Sequence, residues 1–173
     1  MNSLSRRTLG GWGLALLCTG MLAACDDDTA GSEDKVIAMK RPSDLPAWLT
    51  VKDKIEPSVW LRSREVGHEV LSSDPEVDRL RRAMHQAEIR FYEDPRMIAN
   101  RTAQIADMLG EINQPERYVD IMTGMVDVAD VSPSRQLYGE MCEHYLNIRK
   151  LGKDRTAALE QLSSSYKIQN QMR

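Results

Sequence analysis

The feature that most limits what this chain can fold into is a helix-opening signature that recurs from residue 74 onward. A polar residue followed by proline occurs at Asp74-Pro75, Asp94-Pro95, Gln114-Pro115 and Ser132-Pro133. Proline at the first helical position forfeits no hydrogen bond, and a preceding Asp or Ser satisfies free backbone amides. A fifth start follows Gly152-Lys153-Asp154, where the glycine ends one helix and the aspartate caps the next. Between these starts the apolar residues step by threes and fours, the period of a helix with one buried face. Val77, Leu80, Met84, Ala87 and Phe91 form the first stripe, and Ile98, Thr102, Ile105, Leu109 and Ile112 the second. Two wider stripes follow. Tyr118, Met122, Met125 and Ala129 are joined by Val119, Ile121 and Val126, and Leu137, Tyr138, Met141, Tyr145 and Ile148 by Cys142 and Leu151. The wider faces place these two helices in the middle of the array. Ala158, Leu159, Leu162 and Tyr166 make the last stripe. Strand-like alternation is absent. The sequence predicts an all-α fold, an antiparallel array of about five helices joined by short loops.

Helix starts at this spacing make a helical pair repeat at roughly forty residues, a period used by helical solenoids. Tyr138, Tyr145, Gly152 and Ala158 give the last pair a resemblance to one tetratricopeptide hairpin. The span from Tyr145 to Ala158 is several residues longer than in that family. The resemblance implies a short solenoid and transfers no functional residues; a compact bundle fits the pattern equally.

The N-terminus carries a different signal. Arg6 and Arg7 precede an apolar run from Leu9 to Ala24, which ends in small residues before Cys25. That run is short and glycine-broken for a spanning helix and has the layout of an export signal. Leu22-Ala23-Ala24-Cys25 resembles the lipobox of bacterial lipoprotein precursors. The resemblance implies cleavage before Cys25 and a diacylglycerol thioether on its sulfur, which only a thiol can form. Ser5-Arg6-Arg7-Thr8-Leu9 resembles the twin-arginine export motif, from whose pattern Gly10 departs. Asp26, directly after the lipidated residue, resembles a signal for retention in the inner membrane. The expected organisation is a signal peptide over 1–24 and a flexible acidic tether over 25–45. A semi-ordered segment follows over 46–73, then a helical domain over 74–173. Within 46–73 a helix is expected from Pro57 to Leu71, weakened by Gly67. Trp48 and Trp60 are the apolar anchors there, placed to pin the segment onto the helices or, alternatively, to sit at a membrane interface.

Composition removes some functions. With 23 Lys and Arg against 26 Asp and Glu, the formal charge is -3, which gives no basic field for nucleic acid. Among the three cysteines, Cys18 leaves with the signal and Cys25 carries lipid, so Cys142 has no intramolecular partner.

Candidate chemistry is sparse. His68, His85 and His144 form no ligand pair by spacing. Glu140, Met141 and His144 share one helical neighbourhood and suggest a soft-metal or acid–base site, but Cys142 points about 200° away from His144. Glu76, Asp78, Glu93 and Asp94 fall in helix-terminal positions, where carboxylates serve as caps. The segment Asp94–Thr102 stands out because Asn100 and Thr102 are poor helix formers inside a helix. Asn100 is expected to fix helix register or cap a neighbouring backbone group. In a functional reading Arg96, Asn100 and Arg101 present a polar patch to a partner. The chain is therefore expected to be a non-enzymatic lipoprotein facing the periplasm. It would be anchored by Cys25 and bind another envelope protein, with no cofactor. The alternatives are a small envelope enzyme or metal-handling protein using Glu140, Met141 and His144, and an immunity-type inhibitor of a toxic partner.

Overall fold

A computed structural model of the chain describes residues 45–171, with side chains to Ile168. The expected signal peptide, Cys25, Asp26 and the expected acidic tether up to residue 44 lie outside the described residues. Six helices follow one another: α1 (Pro57–Val66), α2 (Pro75–Arg90), α3 (Pro95–Glu111), α4 (Tyr118–Ala129), α5 (Tyr138–Lys150) and α6 (Arg155–Gln171). Among the described residues the extended pairing is a single parallel bridge between Phe91 and Gln136. The fold is all-α.

The helix boundaries follow from local chemistry where the caps are local. Asp74 accepts the Glu76 amide at 2.7 Å, and Asp94 accepts that of Met97 at 2.8 Å, so α2 and α3 open at their prolines. Asp154 accepts the Ala157 amide at 2.9 Å and opens α6. The other two expected starts are displaced. α4 begins at Tyr118 and α5 at Tyr138, not at Pro115 and Pro133. Gln114 is engaged elsewhere, its side-chain oxygen held by the Arg149 Nε at 2.6 Å. Ser132 Oγ serves the loop, accepting from Gln136 Nε2 at 2.8 Å. α1 stops at Val66 because Gly67 takes a left-handed φ of 76°, five residues short of the expected Leu71.

Alternate helices stack on one another more extensively than sequence neighbours do, except at the two ends. α2 lies chiefly against α4 and α4 against α6, while α3 lies against α5 and α1 against α3. The result is two layers, α2–α4–α6 over α1–α3–α5, with α4 touching every helix except α1 among its main neighbours. Accordingly α4 exposes only Asp120, Thr123 and Asp127. The stripes read from sequence supply the core: Val77, Ala87, Phe91, Ile98, Leu109, Met122, Met125, Tyr138 and Met141 are fully buried. Leu137 and Leu151 are exceptions, at 50% and 80% exposed, because they cap α5 and fall outside its helical period.

The core also begins before residue 74. Trp60 and Leu61 of α1 are fully buried, and the chain ahead of α1 is fastened down. Trp60 Nε1 donates to the Pro46 carbonyl at 2.9 Å, and Arg64 Nη1 to that of Ala47 at 3.1 Å. Residues 45–50 thus form a strap laid across the helices.

Candidate functional site

The strap is completed by Asn100, one turn and a half into α3. Its side-chain oxygen accepts the Leu49 amide at 2.9 Å, and its Nδ2 donates to the Leu49 carbonyl at 2.8 Å. A side-chain amide carries a donor and an acceptor on separate atoms, and so serves the N–H and the carbonyl of one residue together. This explains a poor helix former at position 100. Thr102 has a separate reason: its hydroxyl bonds the Ile98 carbonyl at 2.8 Å and the buried Tyr138 hydroxyl at 2.7 Å.

Beside the strap lies an open groove of about 330 Å³, walled by Trp48, Met97, Asn100 and Arg101 on one side and by Glu93, Tyr138 and Gly139 on the other. Glu93 receives the Tyr138 and Gly139 amides, each at 2.9 Å. It is the N-terminal cap of α5, supplied from 45 residues away in sequence. Arg101 lies along Gly139, where an added Cβ would stand 3.3 Å from Nε and 3.4 Å from Nη2. A side chain at position 139 would press the guanidinium aside by a few tenths of an ångström. Arg101 Nη1 donates to Gln104 at 2.8 Å, and Arg101 makes no ion pair among the described residues. Trp48 and Met97 remain 47% and 46% exposed at the rim. Arg64 stands over the rings of both Trp48 and Trp60, at 5.5 and 5.6 Å, and so orients the exposed indole.

The predicted polar patch is therefore divided. Asn100 and Arg101 line the groove. Arg96, paired with Asp94 at 3.3 Å, lines a neighbouring hollow with Leu49, Thr50 and Val51 on the far side of the strap. Trp48, Glu93, Met97 and Gly139 were not singled out as a site from sequence. Their only signal was an aromatic in the segment before α1 and an acid just ahead of the Asp94 cap.

The other imagined site is not brought together. Met141 is fully buried, whereas Glu140 and His144 face outward, the latter with its ring 6.3 Å from that of Tyr166. Among the described residues no three His, Cys, Asp or Glu side chains are grouped to hold a metal ion. Cys142 is buried beside Tyr138, and burial pushes its thiol up to about 12. Tyr138 is likewise raised well above its ordinary value, first by burial.

A second polar cluster lies where the loop before α4 meets the ends of α5 and α6. Glu116 and Arg149, each 7% exposed in its side chain, form an ion pair, and the Tyr145 hydroxyl donates to Glu116 at 2.6 Å. Arg149 also holds Gln114, and Arg155 Nε stands 3.5 Å from the second Glu116 oxygen. Burial, and then the charge of Arg155, lowers the Arg149 pKa. Arg149 and Glu116 are enclosed, while the second Glu116 oxygen and Arg155 Nε are buried without a hydrogen-bond partner.

Fold and groove together define a small all-α domain with an N-terminal strap forming one wall of an open groove. The chain belongs to the MoxZ family, whose match spans residues 58–167, from the first turn of α1 to the last turns of α6. Asn100, Arg101, Glu93 and Gly139 fall within that span and Trp48 precedes it. No curated protein and no solved structure matches the chain.

Proposed function

We propose that this protein is a lipid-anchored module of the cell envelope that binds another protein through the groove beside its strap. The observation that carries the reading is the groove's rim. An indole and a thioether, each nearly half exposed, flank a guanidinium that has no acidic partner among the described residues. Trp, Met and Arg are the residue types enriched at protein interfaces, and Trp and Arg dominate their energetics. The anchor is the lipid expected on Cys25, with the acidic residues after it as a tether leading to the strap. No helix among the described residues is long and apolar enough to cross a membrane.

Affinity purification of the lipidated protein from its own membrane, with crosslinking and mass spectrometry, tests the reading. A specific envelope protein is expected in stoichiometric yield, and its identity separates an assembly role from inhibition of a toxic partner. Recovery of no stable partner after crosslinking contradicts the module. Cys25→Ala is expected to block maturation or release the protein from the membrane fraction; unchanged attachment contradicts the anchor.

A further inference from the structure

The groove has a charge asymmetry that specifies its occupant. Its two ionic side chains are unequal in how far they are already satisfied. Both Glu93 oxygens accept amides from the first turn of α5, so that carboxylate is spent on the positive end of the helix. Arg101 has only the neutral Gln104 oxygen, with its planar group laid against Gly139. Nine other arginines of the described chain (Arg62, Arg64, Arg79, Arg81, Arg90, Arg96, Arg117, Arg149 and Arg155) each stand within ion-pair distance of a carboxylate. The groove therefore offers a guanidinium without a carboxylate partner among the described residues, in a concave, partly apolar setting. A carboxylate is the group that satisfies a planar guanidinium with two parallel hydrogen bonds.

The apolar half is equally directed. Met97 lies one helical turn before Arg101 on α3, and Trp48 faces the same opening from the strap. Thioether and indole give an adaptable surface beside the charge. Leu137, 50% exposed, and Tyr92, 63% exposed, directly precede the lining Tyr138 and Glu93 in the chain. Tyr92 is held by its amide on the Gln136 carbonyl at 3.1 Å and by Arg135 over its ring at 5.0 Å.

We infer that the groove docks a peptide segment of the partner protein in which an Asp or Glu side chain pairs with Arg101 while a neighbouring large apolar side chain packs between Trp48 and Met97. This rests on the proposed role as an interaction module and adds the chemistry of the partner. Selection of a displayed random-peptide library on the full lipidated chain in detergent micelles tests it. Enriched peptides are expected to carry an acid within a few residues of an aromatic or large aliphatic side chain. In anisotropy titrations their affinity is expected to fall about tenfold or more when that acid becomes its amide, and by a similar factor on Arg101→Gln. Arg82→Gln, on the exposed face of α2, is expected to leave the affinity unchanged. Enriched peptides without an acid, affinity indifferent to the acid-to-amide change, affinity indifferent to Arg101→Gln, or no enrichment would each overturn the inference. A partner recovered from membranes without acidic-peptide binding leaves the module standing and removes this assignment. Acidic-peptide binding without a membrane partner does the reverse.

Discussion

Arg149 and Arg101 are the same residue type in opposite situations. Arg149 sits at the enclosed junction of α5, α6 and the loop before α4, with Glu116, Tyr145 and Gln114 consuming its donors. Arg101 sits in an open groove, with a neutral amide and a glycine for company. The difference lies in the layers. The Arg149 cluster ties together three segments of the array, and its central pair is buried, Arg149 and Glu116 each being 7% exposed. The groove forms where the strap is laid over α3 and the first turn of α5, leaving apolar side chains uncovered. A buried ion pair holds a fold in register, whereas an exposed guanidinium between apolar walls is available to a ligand.

The largest effect expected is chemical. Cys142 lies beneath the groove, and its thiol pKa of about 12, against an ordinary 9.0, leaves roughly a thousandfold less thiolate near pH 8. Alkylation of the native protein should therefore follow unfolding and not groove access; labelling as fast as a free thiol would show that the core under the groove opens. The contribution of the protonated thiol is full below 9.0 and is lost as pH rises toward about 12, so denaturant midpoints should decline through that window.

Glu116→Gln comes next. It leaves the Arg149 charge, 7% exposed, without its counter-ion, and should lower unfolding free energy by about 3–5 kcal/mol in urea titrations. A loss below about 1 kcal/mol would mean the cluster is wet and the contrast with Arg101 false. Asn100→Ala should cost about 1–2 kcal/mol, because the Leu49 amide and carbonyl lose their partner together. Its distinctive readout is local. Amide exchange should accelerate at Leu49 while the α4 amides keep their protection. Arg101→Gln should shift stability by no more than about 0.5 kcal/mol, a surface value, while weakening peptide binding.

The helices were legible because their information is local. The stripe Val77–Leu80–Met84–Ala87–Phe91 and the caps Asp74 and Asp94 lie within a few residues of the structure they specify. The starts of α4 and α5 were displaced because their groups are committed at long range: Gln114 to Arg149, and the α5 amides to Glu93. Asn100 was legible as a residue that fixes register or caps a neighbouring backbone group, and it does the second, but its partner Leu49, 51 residues away, was not legible. The groove was half legible. Arg101 and Asn100 stood out by type, whereas the roles of Met97, Trp48 and Gly139 depend on which faces the two layers leave open. The isolated choice of Glu140, Met141 and His144 rested on turn spacing alone, and Met141 turns into the core.

The strap-side groove, and not another surface, is the face expected to meet the partner. A photocrosslinking phenylalanine analogue placed at Met97 in the groove, and in a second protein at Lys150 at the far end of α5, compares two exposed positions on the same layer. Irradiation of native membranes should give a discrete protein adduct from position 97, reduced by Arg101→Gln, and none from position 150. Adducts of equal yield from both positions, or from position 150 alone, would contradict the account.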